Sequence, residues 1–161
     1  MKAGRLIART VIGGLFIGHG LQKWFGMFGG PGLEGATGMM ESLGLRPARQ
    51  NALLASATET VGGGMVLAGA LTPVAAAALI GTMVTAIRTV HLQNGLWAAN
   101  RGYEYNLVLI AGLLALIDGG PGALSIDGAL GIHDTGSKLA LAALAAGAAG
   151  STVVIAKGKK D

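Results

Sequence analysis

Seven polar residues lie inside or beside long apolar stretches of the chain and could together form a chemical site: His19, Lys23, Glu59, Arg88, His91, Glu104 and Asn106. His19 and Lys23 are four positions apart and Arg88 and His91 are three apart, so each pair can share one face of a helix. Glu59 is the single charge within its apolar stretch. Because a charge at membrane depth costs about 2.5 to 3.5 kcal/mol on insertion scales, we expect Glu59 to have a cationic partner.

Several chemistries fit these residue types. Histidine, glutamate and a cation in a partly aqueous pocket can exchange protons with the oxygens of a quinone, because histidine titrates near neutral pH and burial can raise the pKa of a glutamate. An anionic substrate could instead bind Lys23 and Arg88. A haem held by His19 and His91, or a metal held by both histidines and Glu59, are further alternatives.

We predict two roles within this set. The predicted catalytic residues are Glu59, His19 and His91, and the predicted ligand-binding residues are Lys23, Arg88, Glu104 and Asn106, with no metal site. The competing explanation is that such groups only hold helices together or extend to the membrane surface. For Lys23, Arg88 and Arg101 that explanation has considerable weight, whereas a short carboxylate such as that of Glu59 cannot reach the surface. His133 is predicted to be an ordinary exposed histidine.

The composition indicates whether the chain lies in water or in a membrane. Of its 161 residues, 52% are apolar and 12% are charged, about half the charged fraction of a soluble domain. These values predict a membrane protein in contact with the lipid bilayer. The net charge of +4 does not indicate nucleic-acid binding, because the twelve lysines and arginines form no dense patch. The absence of cysteine excludes disulfides, thiolate metal sites and covalently attached haem.

Five apolar stretches are predicted to form helices that cross or enter the bilayer: 6–21, 52–71, 74–90, 105–117 and 139–156. We predict an all-α polytopic protein in which the first four stretches form an antiparallel transmembrane bundle. The last stretch is predicted to be an additional C-terminal helix, with a surface or re-entrant segment as the alternative. This divides the chain into a four-helix domain, residues 1–131, and a C-terminal extension, residues 132–161.

The connections between these helices set the topology. The stretch 6–21 follows basic residues, as in a signal peptide, but no cleavage site follows it, so a retained helix is predicted. Thr72 and Pro73 predict a tight turn between the second and third helices. Residues 26–44 are predicted to be a surface loop that ends in one helical turn at 39–43, and residues 119–131 a second turn-rich loop. The segment 97–104 is predicted to lead into the fourth helix.

Antiparallel crossings bring distant residues to one membrane face. The end of the first helix, the start of the second, the end of the third and the start of the fourth share a side, so the seven polar residues are predicted to converge there. Lys2, Arg5 and Arg9 favour a cytoplasmic N-terminus, which puts the cluster at the outer face. Gly14 and Gly18, and the run Gly62 to Gly64, predict close helix packing.

Seven ordered segments resemble the DoxX family of bacterial membrane proteins: RLIART, GLFIGHGLQKWFGMFGGPG, SLGLRP, ETVGGGMVLAGALTP, HLQNGLW, GYEYNLVLIAGLLALI and GPGALSID. The resemblance covers roughly residues 5–127 and implies a four-helix membrane bundle. DoxX-like and DoxD-like members are associated with thiosulfate:quinone oxidoreductase and, in actinobacteria, with complexes that include superoxide dismutase and a sulfurtransferase. The family pattern falls on Arg5, His19, Gly20, Lys23, Glu59, His91, Gly95, Glu104, Tyr105 and Asn106.

The resulting functional prediction is a multi-pass protein of the bacterial plasma membrane that interacts with quinone, or an accessory subunit of a membrane oxidoreductase system. It predicts quinone as a non-covalent ligand, soluble or membrane redox enzymes as partners, and a homo-oligomer. Whether the chain is itself an enzyme stays open. The alternatives are a non-catalytic anchor for soluble redox enzymes and a small proton-coupled transporter.

Overall fold

A computed structural model describes residues 3–158 of the chain. This part contains no strand and seven α-helices: α1 (Ala3–Phe25), α2 (Gly32–Ser42), α3 (Ala48–Ala68), α4 (Thr72–Ala86), α5 (Glu104–Gly119), α6 (Ile126–Ala129) and α7 (Ser137–Gly158). A π-helical turn, Ile87–His91, and a 3₁₀ turn, Leu92–Asn94, extend α4. The predicted all-α class is confirmed.

The four helices α1, α3, α4 and α5 pack around a shared core. α1 contacts α3, α3 contacts α4, α4 contacts α5, and α5 returns to α1. Phe16, Leu79, Ile80, Leu113 and Ile117 are fully buried where these helices meet. The face of the bundle at which α1 begins is called the N-terminal face below, and the face at which α1 ends is called the distal face.

Glycines set the distance between α1 and α3. A Cβ on Gly13 would lie 2.6 Å from the carbonyl oxygen of Gly63, and one on Gly20 would lie 2.2 Å from the hydroxyl of Thr60. The space beside Gly14 and Gly18 is open, so those two residues do not form the predicted close contact with any other part of residues 3–158. The adjacent face of α1 makes the contact instead, which brings the distal end of α1 directly over α3.

The C-terminal helix runs the length of the bundle. At its start the Ser137 hydroxyl donates to Asp118 Oδ1 at the end of α5, over 2.7 Å, and at its end Gly158 packs against Leu45 before α3. Near its middle, α7 crosses α4 in backbone contact, since a Cβ on Gly147 would lie 2.9 Å from the nitrogen of Gly81. The stretch 139–156 therefore lies in the predicted additional helix, which extends from the N-terminal face to the distal face.

Within residues 3–158, two helices are long and apolar enough to cross a membrane by length and composition: Thr72–Asn94 and Ser137–Gly158. They are the α4 helix with its extension, and α7. These two helices pack against each other, and both run from the N-terminal face to the distal face. The two candidate membrane spans of the described residues are therefore neighbours in the bundle.

Two predicted loops contain more helix than expected. Residues 26–44 hold the eleven-residue helix α2, not one turn at 39–43. Ala36 and Met40 lie one helical turn apart and are buried against α3, and this burial offsets the roughly 1 kcal/mol that each glycine costs a helix. The loop 119–131 is turn-rich as predicted but includes the short helix α6. The segment 97–104 remains outside α5 until its last residue.

Candidate functional site

A cavity of about 720 Å³ lies between α3, α4 and α7, and α1, α2 and α5 border it toward the distal face. It is called the distal cavity. The polar side chains that line its outer part include five of the seven residues predicted to converge, together with one tyrosine: His19, Lys23, Glu59, His91, Asn106 and Tyr105. The convergence of these residues on one face follows from the antiparallel course of the helices, as the sequence indicates.

Lys23 and Glu59 form an ion pair at the inner end of this polar group. Lys23 Nζ lies 2.6 Å from Glu59 Oε2, and the side chains are 21% and 3% exposed respectively. The expected cationic partner of Glu59 is therefore Lys23. Glu59 Oε1 has no hydrogen-bond partner among residues 3–158, although it is not sealed inside the protein. One carboxylate oxygen is thus left to accept a hydrogen bond from a ligand in the cavity.

Tyr105 is a cavity residue that spacing alone did not identify as part of the site. Its ring meets the ring of His19 edge to face, with the centroids 6.1 Å apart and the planes at 60°. The Tyr105 hydroxyl has no hydrogen-bond partner in the described part of the chain. The signal in the sequence is its place directly before Asn106, within the segment that resembles the DoxX family.

His91 and Asn106 line the cavity through α4 and α5. His91 Nδ1 is 2.7 Å from the carbonyl oxygen of Arg101; because a carbonyl oxygen only accepts, Nδ1 carries the hydrogen and Nε2 of the neutral ring remains an acceptor. Asn106 is buried, and its amide nitrogen donates to Met83 Sδ over 3.4 Å. Thioether sulfur is a weak acceptor, so the Asn106 side chain is held only loosely.

Arg88 and Glu104 do not join the predicted cluster. Arg88 Nη1 donates to the hydroxyl of Thr152 over 2.9 Å and lies 3.4 Å from that of Ser151, which ties α4 to α7. Glu104 Oε2 accepts the N–H of Ala98 over 2.8 Å and closes the turn before α5. Neither residue lines the distal cavity, and both make structural contacts where ligand contacts were predicted.

The remaining walls of the cavity are apolar or small. They come from α3, α4 and α7 and include Leu54, Ala78, Gly81, Ala146, Gly150 and Val154. The cavity therefore has a charged and polar end near the distal face and an apolar part that extends toward the middle of the bundle. This shape fits a molecule with a polar head and an apolar tail.

The histidines and carboxylates around the distal cavity, within the described residues, are not arranged as a metal site. No group of three or more histidine, aspartate or glutamate side chains among residues 3–158 is placed to hold a metal ion. The alternative in which His19, His91 and Glu59 act as ligands is therefore corrected. Glu59 instead accepts a hydrogen bond from Lys23 through one of its carboxylate oxygens.

The family model of DoxX matches residues 4–92, which is more than half of the chain. The chain belongs to the DoxX family. A curated relative, the uncharacterized membrane protein Rv3486 of Mycobacterium tuberculosis, is 33% identical over an alignment of 129 positions that covers 74% of this chain and 76% of the relative. No solved structure matches.

The family match divides the distal cavity into two parts. Lys23, Glu59 and His91 lie in the matched region, which ends with the extension of α4. Tyr105 and Asn106 on α5, and the wall that α7 provides, lie beyond it. In this DoxX-family protein the ion pair thus lies in the part of the chain that the family model matches, whereas one side of the apolar part is built by the C-terminal helix.

A second polar group, at the N-terminal face, was not predicted as a cluster. Arg9 is 1% exposed, and its Nη2 donates to the carbonyl oxygen of Leu124 over 2.5 Å. Asp127 is also buried and accepts three hydrogen bonds, from the N–H of Leu71 and from the N–H and hydroxyl of Thr72. These contacts fasten the 119–131 loop across the turn between α3 and α4.

The environment of Asp127 favours its charged form. Burial opposes ionisation, but the hydrogen bonds from Thr72 and Leu71 and the nearby charge of Arg9 outweigh it and hold the pKa of Asp127 below its usual value. Since all three bonds go to the start of α4, the carboxylate also acts at the positive end of that helix. Both oxygens of Asp127 therefore make structural hydrogen bonds within the protein.

Proposed function

We propose that this DoxX-family membrane protein binds a quinone in the distal cavity and acts as a quinone-interacting or accessory subunit of a membrane-associated oxidoreductase. The observation that supports this most directly is Glu59: a buried carboxylate with one oxygen bound to Lys23 and the other open, at the polar end of a large apolar cavity. A carboxylate with a purely structural role would be expected to use both of its oxygens, as Asp127 does.

The cavity fits a quinone in size and in polarity. Its volume of about 720 Å³ lies within the usual range for small-molecule sites, roughly 300 to 1,000 Å³. Small residues on α4 and α7, such as Ala78, Gly81 and Gly150, leave room for an isoprenoid tail. The polar end would hold the ring. A bound quinone would supply an acceptor of two electrons and two protons.

The residues of the chain would orient the ring and manage protons at its oxygens. Lys23 Nζ, which lies 2.6 Å from Glu59 Oε2, would also donate to a ring oxygen, and Glu59 Oε1 would accept a proton or a hydroxyl hydrogen bond. His91 Nε2 can accept, and the Tyr105 hydroxyl can donate. His19, against Tyr105, would fix the angle of that ring.

Electrons must come from elsewhere, because the sequence contains no cysteine and no dinucleotide-binding glycine motif. A soluble or membrane redox enzyme would therefore be the partner, acting on a sulfur compound or in oxidative stress as the DoxX resemblance implies. We place the protein in the bacterial plasma membrane with a cytoplasmic N-terminus, which puts the polar end of the cavity at the outer face.

The test is equilibrium binding of decylubiquinone to the full chain in detergent. Glu59→Gln keeps the volume of the side chain but removes its charge, and we expect about tenfold weaker binding, or 1.4 kcal/mol. Glu41→Gln is the matched control, since Glu41 is an exposed carboxylate on α2 at the same face. It should leave binding unchanged.

Equal affinity of Glu59→Gln and the unaltered chain, with both folded by circular dichroism, would overturn the proposal. Absence of decylubiquinone binding by the unaltered chain would do the same. The anchor alternative predicts that only changes on α2 matter, through loss of a soluble redox enzyme in a pull-down. A transporter with Glu59 as its coupling carboxylate predicts proton uptake by vesicles that contain the protein.

A further inference from the structure

A second, smaller pocket of about 270 Å³ lies at the N-terminal face, between the first turns of α1 and the loop after α5. Arg5 and Arg9 line it from α1, and Pro121, Gly122 and Leu124 line it from the loop. Because the two arginines are four positions apart, their side chains leave the same face of the helix. The pocket therefore has two guanidinium groups on one wall and protein backbone on the other.

The hydrogen bonds of these arginines are incomplete. Arg9 uses only Nη2, which donates to Leu124, while Nε and Nη1 are enclosed without a partner in the described part of the chain. Buried polar groups are bonded in the large majority of cases. Arg5, half-buried, forms no salt bridge or side-chain hydrogen bond with residues 3–158. Both side chains therefore have donor capacity that this part of the protein does not use.

Nearby carboxylates form no hydrogen bond with either arginine in the described part of the chain. Asp127 lies close enough to influence Arg9, but its oxygens accept from Leu71 and Thr72. Asp118, at the end of α5, accepts from Ser137. No acidic residue lines the pocket, so it is a positively charged recess at a membrane face.

We propose that this pocket binds the phosphate group of an anionic glycerophospholipid. Guanidinium and phosphate form paired, charge-assisted hydrogen bonds, and basic pockets between transmembrane helices are typical sites for anionic lipid headgroups. Leu6 and Leu124, 37% and 56% exposed, offer apolar surface beside the pocket for the start of the acyl chains. The proposal is independent of the quinone site, which lies at the opposite face.

Glycines give the headgroup access to the loop. A Cβ added to Gly119 would lie 3.8 Å from Arg5 Nε, and a Cβ added to Gly122 would lie 3.7 Å from Arg5 Cδ. Gly122 also has a φ of +88°, which side chains rarely adopt. The loop thus lies close along Arg5 with no side chain of its own at these positions. A phosphate bound by Arg5 can therefore approach the backbone.

The experiment measures lipid binding to the delipidated full chain by native mass spectrometry. For the unaltered chain we expect phosphatidylglycerol to bind about tenfold more tightly than phosphatidylcholine, whose choline cation would oppose Arg5. In Arg5→Gln this preference should fall to about twofold. Arg49→Gln, which removes an exposed arginine at the distal face, should keep the full preference.

Three outcomes would overturn the assignment. They are equal binding of the two lipids to the unaltered chain, an unchanged preference in Arg5→Gln, and an equal loss in Arg49→Gln. A further arm with inorganic phosphate distinguishes the source of the anion. Arg5-dependent binding of inorganic phosphate without a preference between the lipids would make this a site for free phosphate and would overturn the lipid proposal.

Discussion

The two ends of the bundle both bury charged side chains, yet they use them differently. At the N-terminal face Asp127 accepts three hydrogen bonds from the start of α4, and both of its oxygens are occupied. At the distal face Glu59 accepts one, from Lys23, and its second oxygen borders a cavity. Burial and charge are alike in the two carboxylates. The two carboxylates differ in the hydrogen bonds that they can still accept. This difference separates the candidate site at Glu59 from the structural contact at Asp127.

The largest effect is expected at the distal ion pair. Lys23→Met would leave the carboxylate of Glu59 buried without its cation, and we expect a loss of about 3 kcal/mol in the free energy of unfolding. Combining Lys23→Met with Glu59→Gln should recover most of the stability without restoring decylubiquinone binding. Thermal unfolding in detergent, followed by circular dichroism, measures both. A double variant that still binds would mean that the pair does not contact the ligand.

A smaller loss in the free energy of unfolding, about 2 kcal/mol, is expected for Asp127→Asn. This change removes the charge of the carboxylate that accepts hydrogen bonds from Leu71 and Thr72. Folding lowers the pKa of Asp127. The contribution of this carboxylate to the free energy of unfolding is therefore complete above the pKa that Asp127 has in the unfolded chain, about 3.9. The contribution is lost as the pH falls through the pKa that Asp127 has in the folded protein. The variant should therefore lose less stability than the unaltered chain over this acidic range.

Asp134→Asn, in an exposed position of the neighbouring loop, is the control for that measurement. It should leave the free energy of unfolding and its pH dependence unchanged. Asp127→Asn should also bind decylubiquinone normally, because the N-terminal cluster lies at the other end of the bundle. Weakened binding in a folded Asp127→Asn protein would show that the two ends are coupled and would remove the distinction drawn between them.

The smallest expected change comes from one methyl group near the distal pair. A Cβ on Gly20 would meet the hydroxyl of Thr60 and the backbone of α3, whereas one on Gly18 would meet nothing within 4 Å. Gly20→Ala should cost about 1.5 kcal/mol and weaken decylubiquinone binding by shifting Lys23. Gly18→Ala should be neutral or slightly stabilising. Equal unfolding temperatures for the two variants would contradict the close approach of α1 and α3.

The helices were predictable where apolar runs are long. The stretches 105–117 and 139–156 correspond to Glu104–Gly119 and Ser137–Gly158, with ends displaced by only a few residues. The helix α2 was not predictable from propensity, because its glycines indicate turns and its stability comes from the burial of Ala36 and Met40. Such tertiary burial cannot be read from a local segment.

The sequence could predict which end of the bundle holds the candidate site. It could not predict which side of its helix each residue occupies. Alternating crossings place Lys23, Glu59 and His91 together, and the structure brings them to one cavity. Arg88 departs because residues 87–91 form a π-helical turn, which changes the angle between successive side chains and directs Arg88 to α7. The nearness of Asp127 to Arg9 was missed, since Asp127 lies in a loop far along the chain.

The contact between Gly81 and Gly147 brings α7 against α4 at a point where neither residue has a side chain, and α7 thereby forms one wall of the distal cavity. A related chain that ended after α5 would leave hydrocarbon chains of the bilayer to solvate whatever occupied the apolar part. In the proposed quinone site protein atoms would do so, and protein atoms can discriminate between tails. Selectivity for the length and branching of a quinone tail would therefore be a property that the last helix adds to the bundle.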